Sequence, residues 1–371
     1  MAKIFGICNL HDGPNLGGLT VRRPLAANTF LGRYGLMDFA LSNFANSGIN
    51  QLGILIERQA TSIHDHIKDG HAWITNTKTG DIRFFTNEEM LSQKKFNTDI
   101  ANILNNKEFF IYNDCDYYII TPPFFLMSMD FRPLIKAHIE SGKDITMAYV
   151  HTNEADLNFK NCDGMEIKDG VVEKFTRIAA RKKIADVSLE TYILSKYTLL
   201  SLCELSKEVS ILYDLRKMIK YACENKRFSI GAYEFKGDVY PILSLQDYVR
   251  HSMTLLKYEN RQRLFLDEWP IYTISHNTPP ALYGPKAKVQ NSFVANGAIV
   301  KGSVINSIIS RDVVIEEGAV VSNSILFTHT KVGRNVKVNH VLADKQVKIL
   351  NSTDISGEPN EILFIKKGVL V

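Results

Sequence analysis

Apolar segments separated by polar turns alternate along the first two-thirds of the chain. Short runs of consecutive apolar residues, typical of buried strands, precede segments whose apolar residues recur at helical spacing. The predicted strands are Lys3–Cys8, Gln51–Ile56, Tyr117–Thr121, Ile145–Val150, Val171–Phe175 and Leu189–Leu194, and the predicted helices are Asp38–Ser47, Leu134–Ser141, Thr198–Leu205 and Tyr213–Glu224. This βαβ succession predicts an α/β fold with a doubly wound, mostly parallel sheet.

The periodicity changes after a segment rich in proline. Pro270, Pro279 and Pro280 interrupt any regular element between residues 269 and 283, as expected of an interdomain linker. We therefore predict a first domain over residues 1–268 and a second over residues 284–371.

From about Val294 the apolar residues recur as pairs four positions apart, with a period of six. This spacing fits neither an α-helix nor a simple amphipathic strand. The pairs are Val294/Ala298, Val300/Val304, Ile309/Val313, Ile315/Ala319, Val321/Ile325, Val332/Val336 and Val338/Leu342, with Gly302, Gly318 and Gly333 near the corners. Hexads with one large and one small inward residue predict a left-handed parallel β-helix, and an irregular all-β sandwich is the alternative. Because its flat sides and end coils are exposed, we interpret this domain as a module for assembly and regulation.

The composition supports two domains with real cores. Of 371 residues, 45% are hydrophobic and 23% charged, which excludes a disordered chain. The net charge of +4 is spread over 44 basic and 40 acidic residues without a basic tail, so nucleic acid is not indicated as a partner. No apolar stretch approaches the ~20 residues that span a bilayer. We expect a soluble, cytoplasmic protein.

The cysteine and histidine residues do not predict a metal site. Five widely spaced cysteines without a C-x-x-C pair are typical of buried free thiols in a reducing cytosol. His64-Asp65-His66 is interpreted as part of a surface helix, because residues two apart on a helix point in different directions. The apolar run at the N-terminus is too short for a signal peptide and is interpreted as a strand.

One segment resembles a known family. Between Leu19 and Ile49 the chain reads LTVRRPLAANTFLGRYGLMDFALSNFANSGI. This closely resembles the ADP-glucose pyrophosphorylases (glucose-1-phosphate adenylyltransferases), in which a similar loop leads into a D-F-x-L-S-N-x-x-N-S-G-I helix. Further matches, covering essentially the whole chain, are His66-Ile67, Met129-Asp130-Phe131, Glu173-Lys174, Asp238-Val239, Asn291-Ser292 and Asn306-Ser307-Ile308. The resemblance implies the family's two-domain fold.

The loop after the first strand departs from the family pattern. Active members carry G-G-x-G-T-R-L there, a bare glycine backbone that wraps the nucleotide triphosphate. In this chain Gly17-Gly18 survives as a fragment, Pro14 removes an N–H donor, and Asp12 would repel phosphate. Leu25 stands where the resemblance implies a phosphate-facing lysine.

A second departure affects the metal. Active members have G-D-H after the strand that ends near Thr121, and its aspartate holds the catalytic magnesium. Counting back from Met129-Asp130-Phe131 places this position at Phe124, which offers no ligand to a hard cation. Of the two expected metal carboxylates only Asp238 remains, which we interpret as a remnant or a turn carboxylate.

The resemblance is strongest to the non-catalytic regulatory subunits of this family. Nucleotidyl transfer depends on positioning and on a charge-neutralising metal, so losing the glycine loop and a metal ligand together predicts little or no activity. The resemblance then implies a heterotetramer with a homologous catalytic subunit, which would hold the Mg²⁺ and make ADP-glucose and pyrophosphate from ATP and glucose 1-phosphate. We predict no catalytic residue, metal or cofactor in this chain itself, which alone could form a homo-oligomer.

Two groups of residues are candidate ligand sites. Glu173 and Lys174 match the family residues that touch the sugar phosphate, although a lysine at a strand end is an equally good interpretation. Arg22, Arg23 and Arg33 lie in the loop that in this family approaches the β-helix, where anionic effectors bind. Solvated or salt-bridged arginines are the alternative.

Three other functions remain open. An active adenylyltransferase could recruit Asp12, Asp116 or Asp130 as a metal ligand. A subunit of a translation-initiation exchange factor would share the two-domain architecture. A hexapeptide acyltransferase is disfavoured, because the repeat region offers only His329 and His340 as candidate bases.

Overall fold

A computed structural model describes residues 2–87, 93, 95–350 and 354–371. The strands before the β-helix are β1 (Ile4–Asn9), β2 (Thr29–Phe30), β3 (Tyr34–Gly35), β4 (Gln51–Ile56), β5 (Asp81–Thr86), β6 (Tyr117–Thr121), β7 (Phe125–Leu126), β8 (Ile145–Thr152), β9 (Asp163–Lys168), β10 (Val171–Arg177), β11 (Ala185–Ser195), β12 (Ile230–Glu234) and β13 (Tyr240–Pro241).

Helices cover both faces of the sheet that these strands form. They are α1 (Met37–Asn46), α2 (Ala60–Ile67), α3 (Asp99–Asn105), α4 (Lys107–Tyr112), α5 (Phe131–Ser141), α6 (Ala155–Asn158), α7 (Lys196–Val209), α8 (Leu215–Glu224), α9 (Leu245–Thr254) and α10 (Tyr258–Leu264). Two short 3₁₀ helices, Gly17–Thr20 and Leu25–Ala27, lie in the long loop after β1.

The main sheet has the strand order β5-β4-β1-β6-β11-β8-β12-β10-β9. Strands β5, β4, β1 and β6 are parallel, whereas β11 runs antiparallel to both β6 and β8. Strand β12 is parallel to β8, and β10 is antiparallel to β12 and β9. The predicted α/β domain followed by a β-helix is confirmed, but the sheet is parallel in its first half and mixed in its second.

Alternating side chains along the strands divide the α/β core into two layers. Phe5 and Ile7 of β1 point to the side covered by α3, α4, α7 and α8, whereas Cys8 points to the side covered by α1. This period of two is the one expected for a strand buried on both faces.

Helix α5 begins earlier than the prediction, which started it after Pro133. Asp130 caps the helix by accepting a hydrogen bond from the backbone N–H of Arg132, so that Pro133 falls in the first turn. A proline is tolerated there because the first N–H groups of a helix have no intrahelical partner.

The C-terminal part forms three parallel five-stranded sheets. Its strands are β14 (Leu282–Tyr283), β15 (Lys288–Gln290), β16 (Phe293–Val294), β17 (Ile299–Val300), β18 (Ser303–Ile305), β19 (Ile308–Ile309), β20 (Val314–Ile315), β21 (Val320–Ser322), β22 (Ile325–Leu326), β23 (Lys331–Val332), β24 (Lys337–Asn339), β25 (Val341–Ala343), β26 (Lys348–Ile349), β27 (Asp354–Ser356) and β28 (Leu363–Ile365). Each strand pairs in parallel with the strand three further along the chain, as in stacked triangular coils.

One corner of the β-helix is a column of residues with left-handed backbone. Asn291, Asn306, Asn323 and His340 have φ of 44°, 47°, 47° and 50°. Asparagine tolerates this conformation better than other non-glycine residues. Amide hydrogen bonds run along the column, as from Asn291 Nδ2 to Asn306 Oδ1 at 2.8 Å. The corner therefore adds contacts between coils to those of the backbone.

The predicted inward register is wrong at two positions. Ile325 and Leu342 point outward and belong to the α/β core, while the next residues, Leu326 and Ala343, point into the β-helix. The reason is the left-handed corner before them, which adds a residue to the step between inward positions. One wall of the β-helix is thus apolar on both faces.

Helix α1 joins the linker to the α/β domain. The side-chain oxygen of buried Asn43 accepts hydrogen bonds from the indole N–H of Trp269 at 2.9 Å and from the backbone N–H of Met129 at 3.0 Å. The Ser42 hydroxyl accepts one from the Tyr272 N–H at 2.8 Å. Residues 270–281 contain no helix or strand, and the proposed domain boundaries stay a prediction.

Two further expectations concern cysteines and membranes. All five cysteines are buried free thiols, as predicted. Among the described residues, no helix is both long enough and apolar enough to cross a bilayer.

A buried ion pair connects the long loop after β1 to the β-helix. Arg23 pairs with Asp344, and their side chains are 8% and 5% exposed. The Arg23 guanidinium also lies 5.8 Å from the ring centre of Phe327. Because both charges are removed from water, either charge would be strongly destabilising if its partner were lost.

Changing Arg23 to methionine should therefore destabilise the protein by about 3–5 kcal/mol, because Asp344 would be left as an unpaired buried charge. The measurement is urea denaturation. The matched control is Arg22→Met at the neighbouring exposed position, which should change stability by less than about 0.5 kcal/mol. Equal midpoints for Arg23→Met and the wild type would show that the pair does not hold the domains together.

Candidate functional site

A cavity of about 550 Å³ lies beyond the carboxyl ends of β1 and β6. The chain passes from β1 to β4 on one side and returns to β6 on the other, so the cavity lies at the switch point of the sheet, where α/β proteins bind ligands. We name it the sheet-edge cavity. Its lining residues are Asn9, His11, Asp12, Asp99, Pro122, Phe124, Asn161, Asp163, Phe175, Thr176, Arg177, Glu190, Tyr192, Asp214, Leu215, Arg216, Lys217, Lys220 and Glu224.

The loop after β1 is packed into the protein instead of cradling a ligand. Leu10, Leu16, Leu19 and Leu25 are each at most 7% exposed and belong to the α/β core. A methyl group added at Gly18 would overlap the ring of Phe364, so this glycine allows the loop to approach the β-helix. Gly18 of the surviving Gly-Gly fragment is therefore used for domain packing.

His11 is held by two polar groups at the entrance of this loop. Its Nδ1 lies 3.2 Å from the Asn97 carbonyl, and its Nε2 lies 3.1 Å from the Asn102 side-chain nitrogen. Burial lowers the pKa of His11 to about 4. The imidazole is neutral at physiological pH and adds no positive charge to the cavity.

Phe124 lines the cavity and is 4% exposed. Its ring packs against Phe125 with centroids 4.9 Å apart, and its carbonyl accepts a hydrogen bond from the Ile242 N–H at 2.8 Å. Backbone pairing thus places Ile242 beside it, whereas Asp238 is exposed in the loop before β13. Because neither Phe124 nor Ile242 has an oxygen-bearing side chain, this pair of residues offers no ligand to a magnesium ion.

Glu173 and Lys174 lie elsewhere. Both are exposed on β10, and neither is among the described residues that line the cavity. The same strand contributes Phe175, Thr176 and Arg177 instead.

The charged groups that line the cavity are mainly acidic and mostly paired. Asp163 accepts a hydrogen bond from Arg216 at 2.5 Å and forms an ion pair with Lys220 at 2.5 Å, and Glu190 lies 3.0 Å from Arg216. Lys217 pairs with Asp214. The lining holds six carboxylates against four lysine and arginine side chains. A triphosphate would therefore enter a cavity with excess negative charge.

The pKa values of two of these carboxyl groups are raised, which favours their neutral form. Burial raises the pKa of Glu190 to about 7. Burial, together with Asp214 and Asp12, raises the pKa of Asp99 above its usual range. Burial is the larger cause for both groups, and the neighbouring carboxylates add to it because like charges disfavour each other's charged form.

Of the three carboxylates considered as substitute metal ligands, only Asp12 lines the cavity. Asp116 accepts a hydrogen bond from the Lys3 N–H, at the opposite end of the sheet. Asp130 caps α5 and pairs with Arg132. His66 of the His-Asp-His segment lies on α2 with its Nε2 2.5 Å from Asp38, and among the described residues no cluster of three such ligands fits a metal.

A second cavity of about 530 Å³ lies between the loop after β1, helix α2 and the β-helix. We name it the interdomain cavity. It brings together all three predicted effector arginines and further cations from distant parts of the chain. Its charged and histidine residues are Arg22, Arg23, Arg33, Arg311, Lys345, Lys367, Asp65, Asp312, His66, His276 and His329.

The interdomain cavity has an excess of positive charge. Burial and Arg33 lower the pKa of Arg311, and burial and Arg23 lower the pKa of Lys345. Within the described structure the buried Nε of Arg311 has no hydrogen-bond partner. Of the three predicted arginines, Arg22 and Arg33 are exposed, whereas Arg23 is paired with Asp344.

Sequence reasoning missed several lining residues. Glu190 lies inside an apolar strand pattern, and Lys345 and Lys367 are about 300 residues away in sequence from the three predicted effector arginines. Arg216 and Lys220 carried a readable signal, since residues four apart share one face of a helix.

Comparisons with known proteins cover both parts of the chain. A profile described as "Nucleotidyl transferase" matches residues 12–158, and one described as "GlmU-like, C-terminal hexapeptide" matches residues 281–361. A glucose-1-phosphate adenylyltransferase of Bacillus thuringiensis (strain Al Hakam) is 27% identical over 360 residues, 96% of each chain. The glycogen biosynthesis protein GlgD of Bacillus subtilis (strain 168) is 28% identical over 358 residues, 96% of this chain and 93% of that protein.

Over almost its whole length the chain is therefore similar to proteins named as glucose-1-phosphate adenylyltransferase and as GlgD. Relatives named as the enzyme and as GlgD are about equally similar to it. This similarity does not distinguish a catalytic from a regulatory role, which depends on the residues of the chain itself.

Replacing Phe124 by aspartate should destabilise the protein by about 3–5 kcal/mol, since a buried ring becomes a buried carboxylate. Thermal or urea denaturation measures this, with Phe124→Leu as a matched apolar control costing about 1 kcal/mol. We also expect no magnesium-dependent turnover from Phe124→Asp, because the neighbouring Ile242 supplies no second ligand. A stable, active Phe124→Asp variant would contradict this interpretation.

Proposed function

We propose that this chain is a catalytically silent, regulatory subunit of an ADP-glucose pyrophosphorylase in glycogen synthesis. A homologous catalytic subunit would convert ATP and glucose 1-phosphate to ADP-glucose and pyrophosphate, and would hold the magnesium ion. The two would assemble as a heterotetramer. The observation that carries the proposal is the sheet-edge cavity, where carboxylates outnumber cations and Phe124, whose carbonyl accepts a hydrogen bond from the Ile242 N–H, is part of the lining.

The loop after β1 supports the same conclusion. A triphosphate cradle needs free backbone N–H groups directed at the ligand. In this chain four buried leucines anchor the loop in the core, and Leu25 is 6% exposed where a phosphate-facing lysine is expected. The scaffold is kept while the groups that would bind and polarise ATP are replaced.

The interdomain cavity supports a regulatory role. Its cations come from the loop after β1, from Arg311 and from the last coils of the β-helix, so an anion bound there would bridge both domains. Guanidinium groups bind phosphate through paired hydrogen bonds, and the self-repulsion of these cations would be relieved by a negative ligand. We propose that a phosphorylated effector binds here, contacting Arg22 and Arg33 together with Arg311 and Lys345.

The purified chain should produce no ADP-glucose from ATP, glucose 1-phosphate and magnesium. When it is co-expressed with a catalytic homologue, we expect the two to co-purify and the effector response of the enzyme to change. Activity and subunit stoichiometry are measured with and without this chain. Robust turnover by the chain alone would refute the proposal and favour the active-enzyme alternative.

In that complex, Arg33→Gln combined with Arg311→Gln should raise the phosphate concentration needed for the effector response by about tenfold or more, because two charge-assisted hydrogen bonds are lost. Arg181→Gln, in an exposed loop of the α/β domain, is the matched control for loss of charge. An unchanged response in the double variant would place the effector elsewhere.

A further inference from the structure

Glu190 has a backbone conformation that is unusual for its residue type. Its φ is +50°, in the left-handed region, within the otherwise extended strand β11. The pairing of β11 with β8 shifts register between Ser188 and Thr191, so Glu190 lies in an irregular step. Its N–H donates to the Ser188 hydroxyl at 3.1 Å. Irregular steps of this kind redirect a side chain, and strained non-glycine residues cluster at functional sites.

The redirected side chain enters the sheet-edge cavity and contacts a cation. Its carboxylate lies 3.0 Å from Arg216 and is only 15% exposed. Arg216 also donates to Asp163, which in turn pairs with Lys220. Two cations and two carboxylates therefore form one network on the cavity wall, and their formal charges cancel.

Removing the carboxylate of Glu190 would change the net charge of this network. Within the network, Arg216 and Lys220 would then face Asp163 alone, which leaves the network with one net positive charge and with guanidinium N–H groups of Arg216 that no longer bind Glu190. Arg177 lies on the same wall and donates to an uncharged acceptor, the Asn161 side-chain oxygen, at 2.8 Å. Such a set of cations has the chemistry that binds a phosphomonoester.

We propose that Glu190 occludes a latent phosphate site: its carboxylate occupies the position on Arg216 that the oxygen atoms of a phosphomonoester would otherwise take. As a result, phosphorylated ligands do not bind in the wild-type cavity, although Arg216, Lys220 and Arg177 line it. This inference rests on the proposed function, in which the cavity does not catalyse nucleotidyl transfer. It identifies Glu190 as a residue that prevents phosphate from binding there.

The test is phosphate titration of the full chain by isothermal calorimetry at pH 8, where Glu190 is charged. We expect Glu190→Gln and Glu190→Gly each to gain one phosphate site beyond any site in the wild type, with an affinity about tenfold to a hundredfold higher than at the wild-type cavity. Glu190→Gly should fold well, since glycine adopts a positive φ without strain.

Two further variants distinguish occlusion of Arg216 by Glu190 from a general effect of the negative charge in the cavity. Glu190→Gln combined with Arg216→Gln should lose the gained site. Glu224→Gln removes the same charge from the same cavity, but Glu224 is not a partner of Arg216, so it should gain nothing.

The inference is overturned if neither Glu190 variant gains a site, if Glu224→Gln gains one equally, or if the gain persists without Arg216. Turnover of ATP and glucose 1-phosphate by the wild type would instead refute the proposed function, so the two failures are distinguishable.

Discussion

The buried polar side chains of helix α1 hold the two parts of the molecule in register. Asn43, 2% exposed, satisfies its side-chain oxygen and nitrogen with the linker and with the segment after β7. Ser42 and Asn46 bind the linker backbone at Tyr272 and Pro270. Because buried polar groups are costly when unpaired, these residues fix the path of the linker and hence where the β-helix lies. The motif that carries the family resemblance thus has a structural use independent of catalysis.

That placement brings the β-helix against the loop after β1 and creates the interdomain cavity. The outward Ile325 and Leu342 extend the α/β core into the β-helix wall, and the Arg23–Asp344 pair closes the contact. The resulting interface is apolar beneath a cluster of cations. A ligand bound to those cations would act on both domains at once, as regulation through a domain interface requires.

The distribution of charge differs between the two cavities. In the sheet-edge cavity, carboxylates neutralise the cations that a nucleotide would need. In the interdomain cavity, six lysines and arginines face two aspartates. The net charge of +4 would be compatible with many arrangements of the charged side chains. The electrostatic potential of each cavity depends on which of them the fold brings together there.

The sequence by itself determined the α/β and hexapeptide architecture, because periodicity is a property of neighbouring residues. Tertiary structure decided the orientation of Ile325 and Leu342, since one extra corner residue reverses which side chain points inward. It also decided that Arg23 is bound to Asp344 and Glu190 to Arg216. Such pairings join residues distant in sequence, and only the folded chain brings their charges within a few ångströms.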